Sequence, residues 1–195
     1  MQIRPQLRMV AAGLALATVL GGAPAMAAGG DHATAESALS AIHIDNFGRI
    51  DDHYFRGAQP KGADFKALAT LGVKLVIDLA SEGDASEEAN SRAAGMSFVR
   101  IPMTTHDVPS PAVIAQFLAL VANPANQPVY VHCIGGKHRT GVMTAIYRMT
   151  VDGWNPTRAF EEMKQFHFGA DILHPEFKAF VESYVVPAPA AAGVK

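Results

Sequence analysis

Two short apolar runs, 74–78 and 129–132, are rich in β-branched residues and lie between segments with helical patterning. Runs of this length and composition are typical of strands that are buried on both faces. A shorter strand is predicted over 97–101. Because parallel strands need a crossover connection, usually a helix, this alternation predicts one α/β domain with a mostly parallel central sheet flanked by helices.

Six segments carry the helical pattern, and three of them start with proline at the first helical position. Ser110, Asn155 and His174 each precede such a proline. Proline is favoured at this position because the first N–H groups of a helix have no partner inside it. The predicted helices span 63–71, 86–94, 111–123, 140–151, 156–165 and 175–184.

The N-terminus has the organisation of a secretory signal. Arg4 and Arg8 precede an apolar run over 9–20, and the Ala-Met-Ala sequence at 25–27 is a small-residue cleavage site. The run is well short of the roughly 20 residues that span a bilayer, so a permanent anchor is the weaker interpretation. We therefore expect cleavage after Ala27 and a periplasmic or secreted protein without a membrane span.

Composition divides the chain into four parts. Residues 1–27 form the predicted signal peptide, and 28–44, rich in Ala, Gly, Ser and Thr, predict a flexible linker. Residues 45–186 are expected to hold the folded domain. The Pro- and Ala-rich residues 187–195 predict a disordered tail.

Charge and cysteine content exclude several classes of protein. Lys and Arg number 16 against 18 Asp and Glu, a formal net charge of −2. A chain without a broad excess of basic residues does not fit a nucleic-acid-binding protein. We also expect the protein to be a monomer. The single cysteine, Cys133, excludes an intramolecular disulfide and any site built from several cysteines. Its thiol is either a core group or a reactive one.

The segment that follows the 129–132 strand carries the chemistry. Residues 132–141 are His-Cys-Ile-Gly-Gly-Lys-His-Arg-Thr-Gly, in which a buried strand ends, two glycines free the backbone and a helix begins. Such a turn aims amide N–H groups and the positive end of a helix at one point, which suits a tetrahedral oxyanion. Cys133 would form the floor of this site and the planar fork of Arg139 its rim, so phosphate fits best. The predicted phosphate-binding residues are Ile134, Gly135, Gly136, Lys137, His138 and Arg139.

Two neighbours of this loop are predicted to assist it. The Thr140 hydroxyl is expected to donate to the sulfur and to stabilise it as a leaving thiolate. His132 is expected to brace the loop by hydrogen bonding to the backbone.

The 132–141 segment resembles the signature of the protein tyrosine phosphatase superfamily, in its compact dual-specificity branch. The signature is a cysteine preceded by histidine and followed, after five residues, by arginine and threonine. The residues at 55–60 (Phe-Arg-Gly-Ala-Gln-Pro) and at 95–102 extend this resemblance, which covers roughly 47–184. It implies hydrolysis of a phosphorylated protein or a small phosphoester through a cysteinyl-phosphate, with no metal and no cofactor. It therefore makes 45–186 a phosphatase domain and Cys133 its nucleophile.

The general acid is less constrained by the sequence. The family places an aspartate on a loop upstream of the cysteine, and Asp107 is the candidate. It lacks the Trp-Pro-Asp context of the larger tyrosine phosphatases, and a solvated loop residue or a helix-start charge has the same pattern. His106 is an alternative proton donor. The acidic stretch 82–88 offers others, although an exposed loop and helix start explain it better.

Several side chains allow two interpretations. Lys137 and His138 would favour substrates with several phosphates if they point into the site, and would be solvated charges if they point outward. Met163, Phe166 and Phe168 are interpreted as core residues at helical spacing rather than a substrate platform. His167 and His174 show no metal-ligand spacing with other histidines or carboxylates, so no metal site is predicted.

The leading hypothesis is an exported phosphatase for phosphotyrosine or mixed phosphoester substrates. An inositol phosphate or phosphoinositide phosphatase of the same fold is an alternative, as is rhodanese-like or arsenate-reductase-like chemistry, in which cysteine also lies in an anion loop. A phosphate-binding pseudophosphatase is the non-enzymatic alternative. Such proteins usually lack the cysteine or the arginine, and this chain has both.

Overall fold

The computed structural model of the protein describes residues 39–170 and 172–187. Its strands are β1 (Gly48–Arg49), β2 (Tyr54–Ala58), β3 (Leu75–Ala80), β4 (Ser97–Met103) and β5 (Val129–Cys133). They form one sheet in the order β1-β2-β5-β3-β4. Only β1 runs antiparallel to its neighbour, and the other three pairings are parallel. The predicted α/β fold with a mostly parallel sheet is confirmed.

The six predicted helices are all present, with small differences at their ends. They are α1 (Asp64–Thr70), α2 (Glu87–Ala93), α3 (Pro111–Ala122), α4 (His138–Thr150), α5 (Pro156–Gln165) and α6 (Pro175–Ser183), with a short 3-10 helix at Pro124–Asn126. The side chains of Ser110 and Asn155 cap α3 and α5 by accepting from backbone N–H groups three residues ahead. Helix α4 begins two residues earlier than the apolar pattern indicated, because its first turn is polar.

Helices cover both faces of the sheet. On one face α3, α4, α5 and α6 pack against the strands, and on the other face α1 does so through Phe65 and Leu68. Met163 and Phe168 are fully buried in the first of these cores, and Phe166 packs against it. Their interpretation as core residues is therefore confirmed.

The limits of the domain differ from the expectation on the N-terminal side. Leu39 and Ile42 pack against the core, and Ile44 is buried within it, so the end of the predicted 28–44 linker belongs to the folded domain. The predicted signal peptide, the rest of that linker and the tail beyond Pro187 lie outside the described residues. Among the residues that are described, no helix has the length and apolarity to cross a bilayer.

The loop that leaves β5 lies directly against β2. Gly136 has a φ of +64°, and a Cβ atom built on it would lie 2.3 Å from the carbonyl carbon of Gly57 and 2.6 Å from the nitrogen of Ala58. These contacts are with backbone atoms, which cannot turn aside as a side chain can. Position 136 therefore accepts only glycine, for conformational and for steric reasons.

We expect Gly136→Ala to lower the free energy of unfolding by about 2–4 kcal/mol, because it adds left-handed strain to an overpacked contact. Urea denaturation measures the loss. Gly135→Ala is the matched control, since a Cβ there would meet only Lys137 side-chain atoms at 3.8 Å or more. Equal stability of the two variants would contradict the assignment.

Candidate active site

Cys133 is the last residue of β5 and lies at the carboxyl edge of the parallel sheet, where ligands of α/β proteins bind. Its side chain is buried, with 3% of its surface exposed, yet it reaches a cavity of about 510 Å³. The cavity is lined by Glu82, Thr105, Cys133, Ile134, Gly135, Lys137, His138 and Arg139. The structure thus gathers Cys133, Arg139 and four of the other predicted phosphate-binding residues. Gly136 instead faces β2.

Two carbonyl groups of the loop accept hydrogen bonds from residues outside the cavity. The Ile134 carbonyl accepts from the Gln59 N–H at 3.2 Å. The Gly136 carbonyl accepts from the Asn46 amide at 2.7 Å and from Arg56 Nη2 at 2.5 Å. Within the described residues, no backbone carbonyl accepts from the N–H groups of 134–137. Those donors are therefore available to an anion.

Arg139 is fixed by a carboxylate on the opposite wall of the cavity. Its Nη1 and Nη2 donate to the two oxygens of Glu82 at 2.7 and 2.6 Å, and Nη1 also donates to the Met103 carbonyl at 3.0 Å. Burial works against the charge of Arg139, but the bonds to Glu82 and attraction to Cys133 outweigh it and raise its pKa. The guanidinium is thus charged and held in one orientation, with donors left for a substrate.

Glu82 is not a proton donor. Its hydrogen bonds with Arg139 lower its pKa to about 2, so it is ionised at neutral pH. The acidic stretch 82–88 forms a mostly exposed loop and the start of α2, as expected, except that Glu87 is buried. The sequence shows charge in this stretch but not which residues the fold turns inward.

The two assisting residues differ in what surrounds them. Thr140 is buried, and its hydroxyl has no hydrogen-bond partner among the described residues, which leaves it free for the sulfur. His132 is buried on the other side of β5, and neither of its ring nitrogens makes a hydrogen bond of good geometry within that part of the chain. The expected bond from the His132 ring to the backbone is present only as a weak interaction with the Cys133 backbone.

A buried polar cluster surrounds His132 behind the loop. Its ring nitrogens lie 3.8 Å from a carboxylate oxygen of Asp78 and 3.8 Å from one of Glu87. Arg100 Nε donates to Asp78 at 2.6 Å, and Arg100 Nη2 lies 3.5 Å from Glu87. Burial lowers the pKa of His132 to about 4. Burial, and then repulsion from Asp78, raises the pKa of Glu87 to about 8. At neutral pH the cluster therefore holds one ion pair and two uncharged groups.

Asp107 lies outside the cavity. Its side chain is exposed and accepts from the Thr104 hydroxyl at 2.8 Å, while its N–H donates to the same oxygen at 2.9 Å. Thr105, two residues earlier, lines the cavity instead. Asp107 is thus on the loop that borders the site, without touching it in this conformation.

Lys137 and His138 both line the cavity but differ in their freedom. His138 Nε2 lies 2.9 Å from the Phe168 carbonyl, and its ring packs on the ring of His174 at 3.8 Å between centroids. Burial and the neighbouring His174 lower the pKa of His138. Lys137 is exposed. Of the two, Lys137 is the solvent-exposed cation at the rim of the cavity.

Sequence reasoning missed the residues that hold the loop from behind. Arg56 is fully buried, stacks on the Phe166 ring at 4.1 Å and bonds to Gly136. The Asn46 side-chain amide donates to the carbonyls of both Gly136 and Phe166. The one available signal was the charged residue Arg56 within a short strand, because arginine is rarely fully buried unless its charge is paired or hydrogen-bonded.

The buried cluster makes stability depend on pH. Because the folded protein holds the Glu87 proton up to a pKa of about 8, instead of the ordinary 4.5, Glu87 adds to the unfolding free energy. This contribution is complete below pH 4.5 and is lost as the pH rises through about 8. The lowered pKa of His132 acts in the opposite direction, but only between about 4 and 6.5. From pH 6.5 to 8.5 we expect the wild type to lose about 1–2 kcal/mol of unfolding free energy through Glu87.

Glu87→Gln copies the uncharged form and should abolish most of that loss, as measured by urea denaturation across this pH range. Glu88→Gln is the matched control, because Glu88 is its neighbour in α2 but is exposed and paired with Arg92. Parallel pH profiles for wild type and Glu87→Gln would show that Glu87 does not titrate there.

Comparison with known proteins supports what the geometry indicates. The dual specificity protein phosphatase TpbA of Pseudomonas aeruginosa (strain UCBPP-PA14) is 31% identical over 178 residues, which cover 90% of this chain and 79% of TpbA. A serine variant of TpbA solved in complex with pTyr superposes with a TM-score of 0.62 at 28% identity, over 71% of this chain and 83% of TpbA.

A second solved structure is similar to the same degree. The core catalytic domain of the PP-IP phosphatase SIW14 from S. cerevisiae, in complex with citrate, gives a TM-score of 0.64 at 28% identity, over 74% of this chain and 88% of that one. Residues 43–176 match the family model of a DSP-PTPase phosphatase fused to NAD+ kinase. The chain therefore belongs to the DSP-PTPase family of dual-specificity and tyrosine phosphatases, and is a phosphoric monoester hydrolase.

Proposed function

We propose that this chain is an exported cysteine-dependent phosphatase that hydrolyses phosphotyrosine, or mixed phosphoester substrates, through a cysteinyl-phosphate. The observation that carries the proposal is the position of Cys133 at the floor of the cavity beside an Arg139 fork that Glu82 holds in place. A phosphoryl group bound by that fork and by the loop N–H groups lies over the sulfur.

In the first step the Cys133 thiolate attacks phosphorus. A sulfur–phosphorus bond forms while the ester phosphorus–oxygen bond breaks, and the leaving oxygen takes a proton from the general acid. Asp107 is our candidate, since its loop borders the cavity through Thr105. The loop must move to bring Asp107 inward, because Thr104 now holds it outside.

In the second step water attacks phosphorus and the sulfur leaves as a thiolate. The carboxylate of the same acid takes a proton from that water. The buried Thr140 hydroxyl, which lacks another partner in the described part of the chain, donates to the sulfur and stabilises it as it leaves. Arg139 and the loop N–H groups hold the phosphate oxygens in both steps.

Phosphotyrosine is the leading substrate class. The complex of TpbA with pTyr supports it, and so does the charge at the rim. His138 is bound to the Phe168 carbonyl and its pKa is lowered by burial, so it adds little positive charge at neutral pH. Glu82 offsets the charge of Arg139. A single phosphoryl group suits this balance better than a polyphosphate does.

An inositol phosphate is the second candidate. It is supported by the similarity to the PP-IP phosphatase SIW14 and by Lys137, whose exposed ammonium lines the cavity and could reach another phosphate. A pseudophosphatase is disfavoured because Cys133 and Arg139 are both present at the cavity. Sulfur transfer and arsenate reduction gain no support from the relatives described above.

Export is proposed from the signal-like residues 1–27, which lie outside the described part of the chain. We expect the protein recovered from the periplasm or the medium to begin at Ala28. Mass spectrometry of its N-terminal peptide tests this, and an extracytoplasmic protein that still begins at Met1 would contradict cleavage.

The reaction is tested by phosphate release from three substrates: a phosphotyrosine peptide, a phosphoserine peptide and an inositol polyphosphate. Cys133→Ser should abolish turnover while substrate binding persists, because the phosphate site remains and the nucleophile is lost. Asp107→Asn should lower kcat by about 10²–10⁴-fold with phosphotyrosine, the usual contribution of a general acid.

The outcomes separate the claims. Turnover by Cys133→Ser would end the cysteinyl-phosphate mechanism, and full activity of Asp107→Asn would remove Asp107 as the acid. Faster hydrolysis of the inositol polyphosphate than of the phosphotyrosine peptide would favour the second candidate. Lys137→Ala should then weaken only the inositol substrate.

A further inference from the structure

Three side chains that could bind a metal ion meet beside the cavity. His106 lies on the loop before α3, while His174 and Glu176 lie at the start of α6. The Glu176 Oε1 atom is 3.5 Å from His174 Nδ1 and 3.6 Å from His106 Nδ1. The three ligand atoms all lie within 4.8 Å of one another. Sequence spacing missed this group because His106 is far from the other two along the chain.

These distances are close to those of a zinc site. With zinc–nitrogen and zinc–oxygen bonds of about 2.0–2.2 Å, neighbouring ligand atoms of a tetrahedral site lie about 3.3–3.5 Å apart. Both histidine–glutamate distances are within a few tenths of an ångström of that value. The His106 side chain, 76% exposed, has room to turn the small remaining distance.

Two of the ligand atoms are buried and poorly satisfied. Among the described residues, His174 Nδ1 and Glu176 Oε1 make no hydrogen bond of good geometry, and their polar contacts are the loose 3.5–3.6 Å pairs within the group itself. Buried polar atoms are nearly always satisfied, and an ion is one of the few explanations when they are not. A cation between them would accept both lone pairs at once.

The donor set also suits the ion. Two imidazoles and one carboxylate bind zinc in sites that leave a fourth position for water, and imidazole also suits copper, nickel and iron. The second histidine–carboxylate group in the described chain, Asp78, Glu87 and His132, is equally compact but unsuitable. It is fully buried, and the Arg100 guanidinium already supplies its positive charge.

We propose that His106, His174 and Glu176 form a site for a zinc-class divalent cation, with its open position toward solvent, that ties the loop of Asp107 to the start of α6. The His174 ring also packs on the ring of His138, which lines the phosphate cavity. The His138 ring would therefore separate the ion and His174 from that cavity. Any effect of the bound cation on turnover depends on the proposed role of Asp107 as general acid. The binding of the cation itself does not depend on that role.

The test is cation binding by the full chain without a histidine tag, carrying Cys133→Ser so that no thiolate competes for the metal. We expect one equivalent of Zn²⁺ by calorimetry, one equivalent of Co²⁺ with the visible absorption of a tetrahedral site, and a higher Tm with Zn²⁺. His106→Gln and Glu176→Gln should each weaken binding at least tenfold, since each removes one of three ligands. His53→Gln, at an exposed histidine away from the group, is the control and should bind as the parent does.

Each result decides the matter. Absence of binding by the Cys133→Ser parent at millimolar Zn²⁺ would overturn the proposal. Undiminished binding by His106→Gln or by Glu176→Gln would also overturn it, since the ion would then sit elsewhere. None of these readouts uses phosphatase activity, so failure here leaves the proposed reaction untouched, and failure of that reaction leaves the metal site untouched.

Discussion

The site depends on how closely the loop after β5 lies against β2. Gly136 touches the backbone of Gly57, and its carbonyl is bonded to Arg56 and Asn46 on the side away from the cavity. A peptide group whose carbonyl is fixed outward presents the neighbouring N–H groups inward. Bonding the Ile134 and Gly136 carbonyls outside the cavity therefore leaves loop N–H groups to bind an anion alongside Arg139.

The charges behind the loop nearly cancel at neutral pH. Asp78 and Arg100 form an ion pair, while the shifted pKa values leave Glu87 and His132 uncharged at neutral pH. The interior behind Cys133 thus carries little net charge. The positive groups that act on Cys133 are instead the N-terminus of α4, Arg139 and the buried Arg56, and in the proposed reaction these would stabilise its thiolate.

The sequence predicted what is local and missed what the topology brings together. The 132–141 motif holds Cys133, two glycines and Arg139 within one turn. Apolar runs predicted β3 and β5, and helical patterning, with a proline start in three cases, predicted the helices. Strand β2 carries a buried arginine and a glycine, so its hydropathy is weak. Glu82 contacts Arg139 across 57 positions of sequence, and no periodicity reports such a distance. Asp107 was predicted to lie on a loop upstream of Cys133 that could reach the site, but its hydrogen bonds to Thr104, which hold it outside the cavity, depend on a turn that spacing does not specify.

The hydrogen bonds that hold Asp107 outside the cavity are weak. Its side chain and its N–H share one exposed Thr104 hydroxyl, and hydrogen bonds of this kind contribute about 1 kcal/mol each to stability. Releasing both costs about 2 kcal/mol. A general acid that accelerates a reaction by about 10²–10⁴-fold lowers the barrier by about 3–5 kcal/mol, so in the proposed reaction the inward movement of Asp107 would cost less than it gains. A cation bound at His106, the residue before Asp107, would restrict that movement, and the loop would then set the rate without touching the phosphate.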